Sequence, residues 1–302
     1  MTAELSQSLK KKNKMKKNLG QMVSEEVLVS AKKSYDYYKS LFLNEGFPLV
    51  SLIVPTFNLE RYVPETIDSI RGQGADPGLF EVLFVDDCST DRTFEVTKDE
   101  ISDLKNCVSI RTNFNGGAFA TKNYGVRSAR GRYIMLLDGD DFLERNAIES
   151  TLDFMKNNSE VKYSYSQHRK VNGSGDVLYE RRGYDFSREK LLNFNFVGAV
   201  ECFEKEVFNK VGGYRNVYVE DYDFALRASE ILNPIEIKRN PEMLYNHRLH
   251  SLGKTAGTER AMQSAIDVIK ESLSRKEGIL ADVNFSGYNQ EKNTCFEWRR
   301  AG

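Results

Sequence analysis

Three aspartates lie close together after a hydrophobic stretch near the middle of the sequence. Residues 133–137 are hydrophobic, and Asp138, Asp140 and Asp141 follow directly, with Gly139 between the first two. Carboxylates this close repel one another unless a positive charge lies between them, and hard divalent cations prefer oxygen ligands. The cluster therefore predicts a metal site. The alternative is a solvated acidic loop or a helix start, in which Asp140 or Asp141 caps the next helix.

Short polar segments follow other hydrophobic runs in the first half of the chain. In chain order they are residues 56–58, 86–91 and 113–117. Gly116 and Gly117 either permit close backbone approach to a ligand or make a tight turn, and the helix start behind them favours an anion. The nucleotide fingerprints GxGxxG and GxxxxGK(S/T) are absent, so carboxylates and a metal would have to hold a nucleotide. This combination indicates a nucleoside diphosphate conjugate.

The hydrophobic runs alternate with helical periodicity, which indicates repeated βα units. Strands are predicted over residues 49–55, 80–85, 108–110 and 133–137. Helices are predicted over residues 60–71 and 118–129, and a further helix is predicted to include Phe94 and Val96. Such units form a parallel sheet with right-handed crossovers and helices on both faces. Because ligands bind at the carboxyl ends of the strands in open α/β sheets, we expect the polar segments and the aspartates to converge on one crevice.

The second half of the chain mixes short strands and helices. The pattern predicts a helix over 145–155, a hairpin of 161–166 and 177–179, a strand over 196–200, helices over 205–211 and from Glu220, a strand over 243–245 and a helix over 259–273. We expect the hairpin region to shape one side of the crevice.

Composition places the chain among ordinary globular proteins. It has 302 residues, of which 40% are hydrophobic, and a formal net charge of −1, which argues against an electrostatic design for nucleic acid. The four cysteines are scattered and form no CxxC pair, so neither a zinc cage nor a disulfide framework is indicated. No hydrophobic run approaches the roughly 20 residues of a membrane span, and the start lacks a signal-peptide core. We therefore expect a cytoplasmic protein.

The amino-terminal segment is unlike the rest, because residues 10–17 are a dense basic run (KKKNKMKK) without apolar periodicity. The run is either a solubilising arm or a peripheral contact with anionic lipid or a partner protein. Residues 23–42 have helical spacing.

Three motifs in the right order resemble those of family 2 glycosyltransferases with the A-type glycosyltransferase fold. They are residues 51–58 (SLIVPTFN), 84–91 (FVDDCSTD) and 137–141 (LDGDD), and the resemblance covers about residues 49–250. The resemblance implies an α/β fold with a single Rossmann-like domain and a mostly parallel central sheet flanked by helices. The helical spacing outside this region predicts helical extensions at both ends. The expected divisions are 1–46 for the basic extension, 47–145 for nucleotide-sugar binding, 146–255 for acceptor binding and catalysis, and 256–302 for a helical tail.

In that family the first two motifs hold the nucleoside, commonly uridine, and the last aspartates reach the ribose and a divalent metal on the diphosphate. We carry these roles onto the matching positions and add Gly117 from the glycine turn and two basic residues, Arg248 and Lys254, for the diphosphate. The expected nucleotide-sugar-binding residues are then Pro55, Thr56, Asn58, Asp86, Asp87, Gly117, Asp138, Arg248 and Lys254. Asp140 is the expected metal ligand, with Mn²⁺ or Mg²⁺ as the cofactor.

The sequence YVEDYD at residues 218–223 resembles the family's Glu-Asp motif, which makes Asp221 the expected catalytic base. The alternative is that Glu220, Asp221 and Asp223 only favour the start of a helix. Arg248-Leu249-His250 resembles an Arg-x-His segment whose histidine completes the metal shell. We expect His250 in that role, with His247 as the alternative because Asn246 stands where the family usually has an arginine.

The resemblance implies a metal-dependent inverting glycosyltransferase. It would move a sugar from a nucleotide donor, expected to be a UDP-sugar, to an acceptor hydroxyl on a glycan, a lipid-linked glycan or a protein, in surface glycan or polysaccharide synthesis. Two alternatives are a sugar nucleotidyltransferase, which would normally have a glycine-rich basic first loop, and a catalytically silent sugar-nucleotide-binding assembly subunit.

Overall fold

The computed structural model describes residues 48–198, 200–250, 258–289 and 293–301. The predicted amino-terminal extension of residues 1–46, with its basic run and helix, lies outside these residues, and so does Lys254. Among the described helices, none has both the length and the apolar character needed to cross a membrane.

The first half of the described chain consists of βα units, as predicted. Its strands are β1 Val50–Thr56, β2 Phe80–Asp86, β3 Cys107–Arg111 and β4 Tyr133–Leu136, and its helices are α1 Val63–Arg71, α2 Thr93–Glu100 and α3 Ala118–Ser128. β1 lies between β2 and β4, β3 pairs with the outer side of β2, and all three pairings are parallel. The carboxyl ends of β1, β2 and β4 therefore lie at one edge of the sheet.

The core lies on both faces of this sheet because the strand residues alternate in direction. On one face, the fully buried Val50, Leu52 and Val54 of β1 belong to a hydrophobic cluster that includes residues of α1. On the other face, Ile53 points towards α3. A Cβ on Gly125 would lie 2.3 Å from Ile53 Cγ2, so glycine lets α3 lie directly against β1.

The second half adds shorter elements, which alternate less regularly. They are β5 Phe142–Leu143, α4 Ala147–Asn157, β6 Tyr163–Val171, β7 Val177–Arg181, α5 Arg188–Asn193, β8 Cys202–Glu204, α6 Lys205–Val211, α7 Glu220–Ile231, β9 Ile237–Arg248, α8 Glu259–Glu277, β10 Ala281–Asn289 and β11 Asn293–Arg300. Two short 3-10 helices occupy Pro77–Leu79 and Pro234–Glu236.

Within the described residues the main sheet has nine strands in the order β3-β2-β1-β4-β8-β6-β9-β5, with β7 paired to β6. β6 and β9 are parallel, whereas β8 pairs antiparallel with both β4 and β6, and β5 pairs antiparallel with β9. The predicted α/β fold class is confirmed, and the sheet is mixed, being parallel throughout only in its first half. The predicted hairpin is confirmed as β6 and β7, which are antiparallel.

Two sequence-based predictions in this half are wrong. The strand predicted over residues 196–200 lies at Cys202–Glu204 instead, because Val200 has a φ of 38° and the chain turns there. The apolar side chain of Phe196 is buried against Phe194 and Tyr165 without forming a strand. The carboxyl-terminal tail is helical only through α8, after which β10 and β11 form an antiparallel hairpin.

Candidate active site

The loop after β4 carries the aspartate cluster across the carboxyl ends of the parallel strands. Gly139 passes so close to β1 that a Cβ there would lie 2.6 Å from Thr56 Cγ2 and 2.8 Å from the carbonyl oxygen of Pro55. The Thr66 hydroxyl on α1 lies 2.9 Å from the carbonyl oxygen of Gly139 and 2.8 Å from that of Asp141, within donating distance of both. The glycine between the aspartates therefore fixes the loop against β1 and α1.

Asp140 and His250 lie side by side, as the resemblance implies. His250 Nε2 is 2.8 Å from Asp140 Oδ2, and the His250 ring lies against Tyr62 with a centroid separation of 4.3 Å. Burial raises the pKa of Asp140, and the nearby Asp138 raises it further, whereas His250 lowers it. A cation at this position would offset the buried negative charge.

The donor set fits a divalent ion that also binds substrate oxygens. Two ligands about 2.1 Å from one ion and at a right angle are about 3 Å apart, close to the observed separation of Asp140 and His250. Among the described residues, no group of three or more His, Cys, Asp or Glu side chains is arranged to hold a metal alone. An ion held by Asp140 and His250 would therefore complete its shell with water and diphosphate oxygens, which is how Mg²⁺ is commonly bound.

Asp141 does not cap the following helix, so the alternative in which Asp141 is a helix cap is wrong. β5 follows immediately, and α4 begins only at Ala147. The buried Asp141 carboxylate instead accepts hydrogen bonds from the Tyr245 hydroxyl at 2.7 Å and from the Arg248 amide at 2.7 Å. These bonds tie the aspartate loop to β9, whose register a sequence pattern does not reveal.

The side chain of Arg248 is bound within the protein. Its guanidinium donates to Glu65 on α1, to the carbonyl oxygen of Asp140 and to that of Gly173, and only 1% of the side chain is exposed. In this state Arg248 positions the aspartate loop and does not face a ligand. The physical reason is that β9 places the guanidinium beneath the loop, where backbone oxygens need donors.

Asp87 holds the glycine turn before α3. Its two carboxylate oxygens accept from the amides of Gly116 and Gly117, each at 2.8 Å. The anion at the start of α3 is thus the protein's own carboxylate, and the amide of Gly117 donates to it. The expected direct role of Gly117 in approaching a ligand is not seen here, because its amide is already used.

The loops after β1 and β2 are bound to each other. Asn58 has a φ of 54°, its amide donates to Ser89 Oγ, and its side-chain oxygen accepts from the Thr90 amide at 2.8 Å. Asp86 is buried and accepts from Ser89, with Arg111 nearby. Asn58 and Asp86 therefore order the two loops that the resemblance assigns to the nucleoside. Pro55 and the buried Thr56 end β1 directly beside them.

A buried lysine connects the aspartate loop to the expected base. Lys122 on α3 lies 2.7 Å and 2.8 Å from the two Asp221 oxygens, 3.3 Å from Glu220 and 3.7 Å from Asp138. Only 3% of its side chain is exposed, compared with 36% for Asp221 and 45% for Asp138. Both aspartates therefore reach the crevice while the lysine lies behind them.

The charged groups in this cluster shift one another's pKa values. Burial lowers the pKa of Lys122, but the three carboxylates outweigh burial and raise the pKa well above its ordinary value. Burial raises the pKa of Asp221 to about 6, and Lys122 limits that rise. Asp221 is consequently a carboxylate at neutral pH with a pKa closer to neutrality than an ordinary aspartate, as suits a general base.

The acids at the start of α7 have separate partners. Asp223 is buried and accepts from Arg215 and Arg227, which makes it structural. Asp221 and Glu220 instead face Lys122. The acids do lie in the first turn of α7, as the helix-start interpretation predicts. The role of Asp221 as a base stays a prediction, with which its partial exposure beside Lys122 is compatible.

Sequence reasoning missed Lys122 and Glu201. Glu201 lies just before β8, is buried, and accepts a hydrogen bond of 2.7 Å from the Tyr163 hydroxyl. Burial and then the nearby Asp221 raise the pKa of Glu201 to about 8, so it is largely protonated at neutral pH. The available signal for Lys122 was a lysine inside a helix of mostly small and apolar residues, but its partners are distant in sequence.

The family model for glycosyl transferase family 2 matches residues 51–209, more than half of the 302-residue chain. Chondroitin synthase of Pasteurella multocida is 30% identical over 280 residues, covering 88% of this chain and 28% of that protein. A glycosyltransferase of Haemophilus influenzae is 30% identical over 231 residues, covering 74% of this chain and 76% of that protein. The chain spans between 28% and 39% of the length of the matched chondroitin and hyaluronan synthases.

Solved structures share the fold at low sequence identity. Staphylococcus aureus TarS 1–349 in complex with UDP-GlcNAc has a TM-score of 0.63 at 18% identity, covering 76% of this chain and 67% of that one. The mannosyltransferase PcManGT from Pyrobaculum calidifontis, in complex with GDP-Man and Mn²⁺, has a TM-score of 0.59 at 18% identity, with coverages of 82% and 73%. The family match, the relatives and the shared fold agree, and the chain belongs to glycosyl transferase family 2.

Proposed function

We propose that the protein is a metal-dependent inverting glycosyltransferase that moves a sugar from a nucleotide donor, in the first instance a UDP-sugar, to an acceptor hydroxyl. The observation that carries the proposal is the position of Lys122, which lies within 3.7 Å of Asp138 and within 2.8 Å of both Asp221 oxygens. This proximity supports a crevice in which the aspartate loop binds the donor and Asp221 acts on the acceptor, as a direct transfer requires.

Asp140 and His250 would hold the metal, whose chemistry is to stabilise negative charge on the leaving diphosphate. Arg248 holds the backbone of Asp140 in place through its guanidinium. Asp138, with nearly half of its side chain exposed, faces the ribose and sugar of the donor. Lys254, which lies outside the described residues, remains a proposed diphosphate contact.

Asp221 removes the proton from the acceptor hydroxyl while the sugar is transferred in one displacement. Lys122 orients the carboxylate by contacting both of its oxygens, and the partial exposure of Asp221 leaves it accessible to an acceptor. Because a single displacement places the attacking and leaving oxygens on opposite sides of the anomeric carbon, the product has inverted configuration.

The nucleoside is held by the loops after β1 and β2. Their mutual hydrogen bonds through Asn58, together with the contacts of Asp86 and Asp87, preorganise this end of the crevice. The related folds bind UDP-GlcNAc in one case and GDP-Man in the other. Uridine is the base that the family resemblance favours. The named relatives, which include chondroitin and hyaluronan synthases, support a role in surface glycan or polysaccharide synthesis.

The test is a panel of nucleotide sugars measured for metal-dependent thermal stabilisation and for hydrolysis with Mn²⁺ or Mg²⁺. We expect one donor to raise the melting temperature only with metal, and Asp140→Ala to abolish that response. Asp185→Asn, an exposed change that removes an ion pair with Arg239, is the matched control and should respond like the native protein.

Three results would contradict the proposal. Donor binding without hydrolysis or transfer to any acceptor would favour the silent binding subunit. Pyrophosphate release from a nucleoside triphosphate and a sugar phosphate would favour the nucleotidyltransferase. An unchanged metal response in Asp140→Ala would remove Asp140 from the metal site.

A further inference from the structure

A cluster of basic side chains lies beyond the aspartate loop, on β6, β7 and β9. Its central member is Lys170, which is 8% exposed. Within the described part of the chain, no hydrogen-bond acceptor or carboxylate pairs directly with the Lys170 ammonium. An ammonium on so buried a side chain keeps only a small part of its hydration and gains no hydrogen bond within the described residues in return, which is unfavourable. The position therefore requires an explanation.

The strand register brings three more basic side chains to the same face as Lys170. Lys170 lies opposite His247 on β9, and His168, two residues earlier on β6, lies opposite Arg181 on β7. The rings of His168 and His247 have centroids 6.2 Å apart. We refer to His168, Lys170, Arg181 and His247 as the basic cluster.

The acid with the largest effect on Lys170 forms no direct ion pair with it. Asp141 raises the pKa of Lys170, and Asp138 does so to a smaller extent, but the Asp141 oxygens accept hydrogen bonds from the Arg248 amide and the Tyr245 hydroxyl. Burial has the larger effect and lowers the pKa of Lys170 to about 7, and Arg181 lowers it further. A bound anion would favour the charged form of Lys170 and supply the missing hydrogen-bond acceptor.

The basic cluster is on the acceptor side of the crevice. The loops that hold the nucleoside follow β1 and β2, whereas β6, β7 and β9 lie on the far side of β4 in the sheet. The cluster can also be reached from outside, since 36% of the His247 side chain is exposed and His168 is only partly buried. A ligand group at the cluster would thus belong to the acceptor and not to the donor nucleotide.

We propose that the basic cluster binds an anionic group, a carboxylate or a phosphate, carried by the acceptor, with Lys170 as its principal contact. The proposal rests on the proposed glycosyltransferase function for the identity of the ligand as an acceptor. It predicts that the protein prefers acidic glycans or phosphate-containing polymers to neutral ones.

The first test uses simple anions as probes. The native protein is titrated without metal with D-glucuronate, inorganic phosphate, D-glucose and chloride at matched ionic strength, and the melting temperature is followed. We expect glucuronate or phosphate to stabilise the native protein, and the apparent Kd to rise at least about tenfold in Lys170→Met, which corresponds to about 1.4 kcal/mol. The anion that raises the melting temperature more identifies the acidic group of the acceptor. A larger effect of glucuronate indicates a uronic acid, and a larger effect of phosphate indicates a phosphodiester.

Lys205→Met is the matched control. Burial also lowers the pKa of Lys205, but its ammonium donates to the carbonyl oxygen of Ala129, which precedes the amino-terminal end of β4, away from the carboxyl ends of the parallel strands. The control should keep the native response. If the two anions stabilise the native protein no more than glucose and chloride do, or stabilise Lys170→Met equally well, the proposal is wrong.

Stability separates a ligand-binding role for Lys170 from a structural one. Methionine has a similar length and no charge to bury, so a ligand-binding role predicts that Lys170→Met melts at the same or a higher temperature. If Lys170 instead serves as a counterion of Asp141, Lys170→Met should melt at a lower temperature and keep the native anion response. That result would overturn the proposal.

Donor hydrolysis distinguishes this proposal from the proposed function. If the native protein hydrolyses no nucleotide sugar yet its anion response is lost in Lys170→Met, the anion site stands and the glycosyltransferase assignment fails. If the native protein hydrolyses a nucleotide sugar but shows no anion response, the glycosyltransferase assignment stands and the anion site is rejected. With hydrolysis intact, Lys170→Met should raise the KM for glucuronate-terminated acceptors and leave that for glucose-terminated ones unchanged.

Discussion

The residue whose role depends most on its neighbours is Asp221. Its sequence context resembles a catalytic base, but the same acids also favour the start of α7. The structure separates these roles by burial and partners, since Asp223 is buried between Arg215 and Arg227 while Asp221 remains partly exposed against Lys122. A role as base predicts a specific loss when the carboxylate alone is changed.

Asp221→Asn should retain donor binding and lose sugar transfer by at least about a hundredfold, because an amide cannot accept the proton of the acceptor hydroxyl. The measurement is the transfer rate, alongside the donor Kd from equilibrium titration. Glu271→Gln is a suitable control, as Glu271 is a half-exposed acid that pairs with Arg215 and Arg275 outside the crevice. Transfer at nearly the native rate by Asp221→Asn would reject the base assignment.

The pH dependence of transfer tests the role of Lys122. Since Asp221 must be unprotonated to act and its pKa is raised to about 6, activity should fall about tenfold per pH unit below that value and level off above it. Lys122 lowers the pKa of Asp221, so Lys122→Met should move this acidic limb to higher pH. A purely structural lysine would change the rate without moving the limb, and a pH-rate profile of both proteins decides between these outcomes.

At the level of elements, the position of α3 determines whether the site forms. α3 carries Lys122 and contacts β1 through Gly125, where a Cβ would lie 2.3 Å from Ile53 Cγ2. The helix therefore cannot shift without moving the lysine away from Asp221 and Asp138. This link between a packing position and the charge cluster can be tested directly.

Gly125→Ala should lower the free energy of unfolding by about 1–3 kcal/mol, because the added methyl group overpacks the interface between α3 and β1. Transfer should fall as well, since the displaced helix carries Lys122. Gly198→Ala, where the nearest atom to a Cβ is 3.9 Å away, is the control and should change neither. Urea unfolding and the transfer rate measure the two effects. If the free energy of unfolding of Gly125→Ala equals that of the native protein, the interface tolerates the methyl group and the prediction is wrong.

At the scale of the whole molecule, the buried Glu201 couples stability to pH. Its pKa is raised from 4.5 to about 8, mainly by burial, so the folded protein keeps a proton that the unfolded chain releases between these values. The free energy of unfolding should therefore decrease with rising pH across that window, by at most about 1.4 kcal/mol per pH unit from this group.

Glu201→Gln keeps the neutral hydrogen-bonding group and removes the titration. We expect the variant to lose this part of the pH dependence, so that its stability exceeds that of the native protein by an increasing margin as pH approaches about 8. Chemical unfolding of both proteins across the window measures the difference between the two slopes. Parallel slopes would mean that Glu201 is already ionised at neutral pH.

The fold could be predicted in part because strands and helices have their own periodicities. The βα units of the first half and the β6–β7 hairpin are confirmed, and so is the fold class. The strand at Cys202–Glu204 and the final hairpin were not predicted correctly. Phe196 and Val197 have the character of strand residues but are buried by aromatic packing and a turn, which a local pattern does not distinguish from a strand.

The fold class, the family motifs and the convergence of polar loops at one sheet edge could be predicted from the sequence, since they depend on residue type and local spacing. Which side chains meet depends on the tertiary structure. Lys122 and Asp221 are 99 positions apart, and Asp140 and His250 are 110 apart. The structure also shows that Arg248 is buried beneath the aspartate loop and that the largely buried Lys170 has no direct partner among the described residues. Distances and burial of this kind depend on strand register and packing, which local sequence patterns do not specify.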